Sequence, residues 1–273
     1  MPSSRRTGPA TAHAVIFLAG FTFLLYEVSW HRLLSLVLGA TVTAATIVLA
    51  AFMAGFGAGA YVLGRAADRR PVAGRMLAAL LAGIGLCNAL NYVLFTRAIP
   101  GLYAALPEWG VFVCAGGLLF VPAFLMGGIF PLLSKVVFDA DGSLATSLGR
   151  LYAWETLGST LGGLATGFLL LGSLGQRNTV LLAVFVNVAL GIWMLASRSF
   201  GAAAGPDAGD GSRAPARKPR KTVAADPAAL RAAALAGAFA CGFAVLALQV
   251  LWMRMFRIYL TNTSYTFALI SSL

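Results

Sequence analysis

The sequence predicts an all-α fold. It reads as a polytopic membrane helical bundle with one six-helix half and the start of a second half that repeats it in parallel. Three observations predict it. First, only 11% of the 273 residues are charged and 59% are hydrophobic, whereas a soluble domain carries about 25% charged residues. Second, the apolar residues fall into runs of about 20, the length that crosses a bilayer core as a helix. Third, one run returns. Gly20-Phe21-Thr22-Phe23-Leu24-Leu25-Tyr26-Glu27-Val28-Ser29-Trp30-His31-Arg32 comes back 222 positions later as Gly242-Phe243-Ala244-Val245-Leu246-Ala247-Leu248-Gln249-Val250-Leu251-Trp252-Met253-Arg254. Gly, Phe, Leu, Val, Trp and Arg are retained while Glu27 becomes Gln249, so the repeat is one of architecture.

In chain order, Arg5 and Arg6 precede an apolar run too long for the 7–15 residues of a signal-peptide core, so the first span is expected to be uncleaved. Spans are expected at 13–38, 41–64, 75–96, 110–134, 148–174, 178–197 and 232–258. An eighth starts near Thr263 and stops at Leu273. At ~1.5 Å per residue that last run reaches roughly half the hydrocarbon thickness, so the chain is expected to end inside a span, as a fragment, a truncated product or the first piece of a longer protein. Span four carries Pro122, Gly127, Gly128 and Pro131 and is expected to kink or break. Gly55/Gly59 in span two, and Gly158/Gly162 and Gly163/Gly167 in span five, form GxxxG patterns, which let helix backbones approach in lipid.

Four expected domains follow: a tail over 1–12, a six-helix membrane domain over 13–197, a flexible basic linker over 198–231, and the start of a second membrane half over 232–273. Lysine and arginine concentrate in the tail, the 2–3 loop (Arg65, Arg69, Arg70, Arg75), the 4–5 side (Lys135, Arg150) and the linker, against only Arg97 and Arg177 on the other side. The asymmetry puts the N-terminus in the cytoplasm and the chain, multi-pass, in the inner (plasma) membrane. The lipid bilayer is therefore the first expected partner. The +11 net charge does not argue for nucleic acid, because the basic residues form no patch with interleaved aromatics.

The candidate site starts from Glu27. A charged side chain at the centre of a span costs about 2.5–3.5 kcal/mol on insertion scales, so it should face the bundle interior or a water-filled cavity. His31 is its i+4 neighbour and Trp30 its i+3 neighbour. Arg32 lies about 140° round the helix and does not pair with it. Glu27 is thus a candidate cation or proton site tuned by His31, or else a protonated carboxyl bonded to another helix. Both residues are absent from the second copy, where Gln249 and Met253 stand.

Trp30, Arg32, Trp252 and Arg254 recur and suit a shared structural role such as interfacial anchoring. Glu155 lies in span five, nearer a helix end, and two carboxylates from two helices would suit a di- or polycation; the alternative is a helix-end acid that pairs with Arg150. Asn91, with Asn88 and Asn187, is a candidate pore-lining or interhelical hydrogen-bonding group. Cys87, Cys114 and Cys241 stand alone without metal-ligand spacing. Asp139-Ala140-Asp141-Gly142 reads as a turn. There is no GxGxxG between a strand and a helix, no P-loop and no Cys/His cluster, so no cofactor, metal or catalytic residue is expected in this chain.

Several stretches resemble a known family. Gly64-Arg65-Ala66-Ala67-Asp68-Arg69 is similar to the 2–3 loop motif of major facilitator transporters. Gly20–Arg32, Ala51–Gly55, Pro122–Leu133 and Gly149–Gly158 resemble the membrane part of fused major facilitator/spermidine synthase-type proteins. Two positions depart from that family: Glu155 stands where Asn is expected, and Gln249 where Glu is. The resemblance implies a major-facilitator-like half and a small cationic substrate such as a polyamine. It also implies a longer chain, with further spans and a soluble domain similar to polyamine aminopropyltransferases. The Gly-rich loop of such a domain is absent from these 273 residues. The functional expectation is a transporter-like domain, or a membrane anchor that feeds an aminopropyltransferase domain lying beyond Leu273.

Overall fold

The computed structural model describes residues 9–38, 41–69, 74–141, 144–196, 227–259 and 263–272. Among these residues every regular element is a helix: α1 Pro9–Leu38, α2 Thr41–Arg69, α3 Gly74–Arg97, α4 Ile99–Ala105, α5 Glu108–Gly127, α6 Ile129–Asp141, α7 Leu144–Leu164, α8 Leu171–Ser173, α9 Gly175–Ala196, α10 Pro227–Tyr259 and α11 Thr263–Ser272. A π-helical turn, Ala165–Leu170, joins α7 to α8. Among the described residues seven helical stretches are long and apolar enough to cross a membrane, from Thr11–Leu38 to Ala228–Phe256. They coincide with the seven full spans read from the sequence.

Span four is broken as its glycines and prolines predict. α5 ends at Gly127, Gly128 makes the break, and α6 starts at Ile129 two residues before Pro131. Pro122, in contrast, is carried inside α5. Of the expected turn Asp139–Gly142, the first three positions belong to α6, which continues to Asp141, and Gly142 lies outside the described residues. Residues 1–8 and positions 198–226 of the expected 198–231 linker lie outside the described residues, and its last five positions, 227–231, are the start of α10. α2 reaches Arg69, but the side chains of Asp68 and Arg69 also lie outside them.

Three pairings dominate the packing of the first six spans: α1 with α7, α2 with α5, and α3 with α9. Glycine makes the first two possible. A Cβ at Gly158 or Gly162 of α7 would overlap the carbonyls of Phe17 and Phe21 on α1. A Cβ at Gly55 or Gly59 of α2 would meet the carbonyls of Phe120 and Phe124 on α5 in the same way. Such approaches bring Cα–H groups against carbonyl oxygens and maximise dispersion contact where the solvent is itself apolar.

These two seams are copies. Gly55 and Gly158, Gly59 and Gly162, Phe17 and Phe120, and Phe21 and Phe124 are each 103 positions apart. The offset carries further. Leu38, the end of α1, maps to Asp141, the end of α6, and Thr41, the start of α2, maps to Leu144, the start of α7. In α3 and α9, Gly85 packs against Val188, its own counterpart, as residues near a two-fold axis do. The two basic residues Arg32 and Lys135 also correspond. Arg32 Nη1 donates to Leu171 O at 3.5 Å, and Lys135 Nζ donates to Ala67 O, each near the C-terminal end of a neighbouring helical segment.

α10 and α11 follow. α10 presents nearly all its surface outward and touches α2 and α11. α11 is seated against the first six spans, packing on α1, on α7 and on the π-helical turn.

Candidate functional site

Glu27 lies in the middle of α1 and is 5% exposed. Its surroundings follow from its own face of the helix. Phe23, one turn before it, meets Phe56 of α2 edge-on, with ring centroids 5.7 Å apart. His31, one turn after it, stacks on Phe267 of α11 at 3.9 Å with the planes within 4°. Residues four apart share a helix face, so Glu27 points into the seam where α2 and α11 meet α1. Among the described residues no hydrogen-bond or ion-pair partner is found for its carboxyl. Arg32 is turned away to Leu171, as the helical spacing predicts.

The third wall is α7. Gly20 faces Glu155 and Ser159, and Leu24 faces Gly163 together with Ser272 of α11. The π-helical turn then packs on α1 and α11, with Phe168 stacked on Tyr265 at 5.5 Å. A π turn shifts the hydrogen-bond register by one residue and is frequent at functional sites. Its counterpart 103 positions earlier, in α2, is ordinary α-helix, so the π turn is an addition to the repeated architecture on the side that faces α11.

Glu155 lies against the same α1 face but elsewhere along it. Its backbone is level with Gly20, seven residues before Glu27, which is about 10 Å at 1.5 Å per residue. Leu24, Gly163 and Ser272 meet between the two acids. Asn91 is buried and donates from Nδ2 to Leu118 O at 2.6 Å, tying α3 to α5. Asn88 accepts a 2.9 Å bond from Trp30 Nε1, and Asn187 Nδ2 reaches Tyr26 Oη at 3.5 Å.

The fold places the Trp30 side chain inside the bundle. The side chain is fully buried and packs against Phe95 with ring centroids 5.1 Å apart. The indole N–H has a buried partner in Asn88, so it needs no interface. Its repeat partner Trp252 is 40% exposed on α10, and Arg254 is exposed beside it. The stacked pair His31–Phe267 and the π turn are the features of the seam that the sequence did not place. Phe267 belongs to a short apolar run, and nothing in it points to α1.

A polytopic helical bundle with a buried carboxylate at an interhelical seam is the class these features define. The chain is 28% identical over 202 residues to polyamine aminopropyltransferase 2 of Streptomyces coelicolor, a distant homologue. That match covers 70% of this chain and 34% of the relative, so the chain spans about a third of the relative's length. No protein-family model matches the sequence, and no solved structure matches it.

Proposed function

We propose that this chain is the transporter-like membrane portion of a spermidine-synthase-related protein and that it moves a small cationic solute such as a polyamine. Glu27 is the cation or proton group. The chain lies in the inner membrane with its N-terminus in the cytoplasm, and a second half completes the site. One observation carries the reading. Glu27 is a buried carboxylate at a position that the architecture fills otherwise in both of its repeats: Phe130 lies 103 positions later and Gln249 lies 222 positions later. The scaffold does not need an acid there. A group that is expensive in a membrane and not required by packing is best read as functional.

The helix pairing supports a major-facilitator-like half. Exchanging spans one, two and three with four, five and six carries the α1·α7 seam onto α5·α2 and returns α3·α9 to itself. Two three-span repeats of opposite orientation nested in a six-span half have this property. Rocking of such a half against its partner would expose Glu27 alternately to the two sides. The test is uptake of radiolabelled polyamine by the full-length protein in vesicles. Glu27→Gln should reduce it at least tenfold; unchanged uptake removes Glu27 from the mechanism.

A second reading is favoured by the name of the relative. The chain would be a membrane anchor or substrate-feeding domain of a polyamine aminopropyltransferase whose catalytic domain lies beyond Leu273. Aminopropyl transfer by the full-length protein that is insensitive to Glu27→Gln, with no uptake in vesicles, would select it.

A further inference from the structure

We infer that the Phe239–Leu246 face of α10 is the seat of a further membrane helix of the same chain, one that carries two glycines four residues apart. The inference rests on the reading that a second half completes the bundle, and it names the kind of helix with which the first span of that half pairs.

Two seams of this kind are closed within the first six spans. On α1 the surface is Phe17, Gly20, Phe21 and Leu24. The carbonyls of Phe17 and Phe21 lie against Gly158 and Gly162 of α7, Gly20 lies against the carbonyl of Glu155, and Leu24 lies against Gly163. The Phe17 ring flanks this seam and meets Trp154 of α7 edge-on, with ring centroids 6.1 Å apart. On α5 the surface is Phe120, Ala123 and Phe124, and it takes Gly55 and Gly59 of α2. In both, one helix offers the carbonyls of a Phe-x-x-x-Phe turn with a small residue just before the second Phe. The other helix supplies Gly-x-x-x-Gly, which lets the backbones close on each other.

α10 carries the α1 surface again. Phe239, Gly242, Phe243 and Leu246 stand 222 positions after Phe17, Gly20, Phe21 and Leu24, so all four residues are retained. Among the described residues nothing closes on it: Phe239 is 76% exposed, Phe243 is 67% exposed, and a Cβ at Gly242 would meet nothing within 4 Å. The contacts of α10 come further along, where Gln249 bonds Ser271 and Met253 is buried. A face turned to lipid gains nothing from a glycine, which weakens the helix and leaves no side chain to pack.

A second copy of the chain fits less well than a further helix. Among the described residues the pairs Gly55/Gly59 and Gly158/Gly162 are occupied by their own seams. Of Gly163 and Gly167, the first lies against Leu24 and Ser272, and the second is buried in the π turn. No such pair is left to offer a neighbour. About two thirds of the Streptomyces relative lies outside the matched stretch, which leaves chain for such a helix in a protein of that length.

The experiment replaces Phe239 by the photoreactive residue benzoylphenylalanine in the full-length protein. Membranes are irradiated, and the attached peptide is identified by mass spectrometry. The cross-link is expected within one chain, on an apolar peptide that contains Gly-x-x-x-Gly. Attachment to lipid, to another copy, or to a segment without that glycine pair overturns the inference. Thermal unfolding in detergent gives a second readout. Gly242→Leu should lower the midpoint by roughly 2–12 °C through overpacking. Gly117→Leu should not lower it, because Gly117 is exposed on α5 with nothing within 4 Å of its would-be Cβ. An unchanged or raised midpoint for Gly242→Leu overturns the seam. Should that variant fail to fold, Gly242→Ala takes its place with the same signs. The outcome is separate from that of uptake: a cross-link to the glycine helix in a protein that moves no polyamine removes transport and keeps the seam.

Discussion

Gly162 of α7 lies directly against the carbonyl oxygen of Phe21 on α1, and this contact has a twin. Gly59 of α2 meets the carbonyl of Phe124 on α5 in the same manner, and both residues of the second pair are offset from the first by 103 positions. Helices that approach this closely leave no room for a methyl group. Gly162→Ala and Gly59→Ala should therefore be destabilising to a similar extent, about 1–3 kcal/mol each as overpacking. Gly57→Ala is the control, because nothing lies within 4 Å of its would-be Cβ. Thermal unfolding in detergent should show midpoints lower by roughly 2–12 °C for the first two and little change for the third. Unequal losses at Gly162 and Gly59 would argue against equivalent seams.

The structural correspondence of Arg32 and Lys135 makes a second prediction. Each donates to a backbone carbonyl near the C-terminal end of a helical segment, where the last carbonyls lack partners within the helix and the dipole favours a cation. Lys135→Met should destabilise by about 1.5–3 kcal/mol, the range for a hydrogen bond to a charged group. Lys135→Arg should restore most of it. Arg32→Met should cost less, since its bond to Leu171 O is long at 3.5 Å. Chemical denaturation of the three variants checks the order.

How much of this was legible in the residues depends on what kind of information each feature needs. Span positions require only the hydropathy of consecutive side chains, and the expected seven agree with the helices to within a few residues except where α6 overruns its apolar stretch. The break in span four was legible because Gly127-Gly128 followed by Pro131 removes both side-chain restraint and a backbone donor. The repeat at 222 was visible because large, rare residues such as Trp30 and Trp252 are retained. The repeat at 103 is written mainly in glycine and phenylalanine, and a chain with 31 Gly and 18 Phe gives chance matches at many offsets. It emerges only when backbone approach selects the glycines that matter. The π turn depends on hydrogen-bond register, which hydropathy does not encode. For the site, Glu27 and His31 were legible as polar residues in an apolar run, but their neighbours on α2 and α11 come from tertiary packing.

Trp30 shows the same limit and supplies a third prediction. An aromatic residue near a basic one suits an interfacial belt, yet the indole is buried and bonded to Asn88 Oδ1 at 2.9 Å. Trp30→Phe should lose that bond and leave a buried carbonyl short of a donor. Interhelical polar bonds in membranes average about 0.6 kcal/mol and reach about 1.7. The same change at exposed Trp252 should stay within about 0.5 kcal/mol, as surface substitutions do. Trp30→Phe with Asn88→Ala forms a double-mutant cycle, and a coupling near zero would refute the bond as a stabilising contact.

The stack of His31 on Phe267 gives the last prediction, because it joins α11 to the first six spans directly over the face that carries Glu27. Among the described residues α11 runs from Thr263 to Ser272. Its seat depends on contacts: the stack, the bond from Thr160 to Ser272 O, and the bond from Gln249 Nε2 to Ser271 Oγ at 3.2 Å. Phe267→Leu preserves apolar bulk and removes the ring. Aromatic pairs are worth about 0.5–1.5 kcal/mol beyond burial. Opening of α11 should therefore become about 2- to 13-fold more frequent. Hydrogen exchange followed by mass spectrometry reads this locally: amides of 263–272 should exchange faster by that factor, while those of the α2·α5 seam should not change. Faster exchange throughout the bundle would mean that Phe267 supports the whole fold. No change at α11 would mean that the polar bonds alone hold the helix over Glu27.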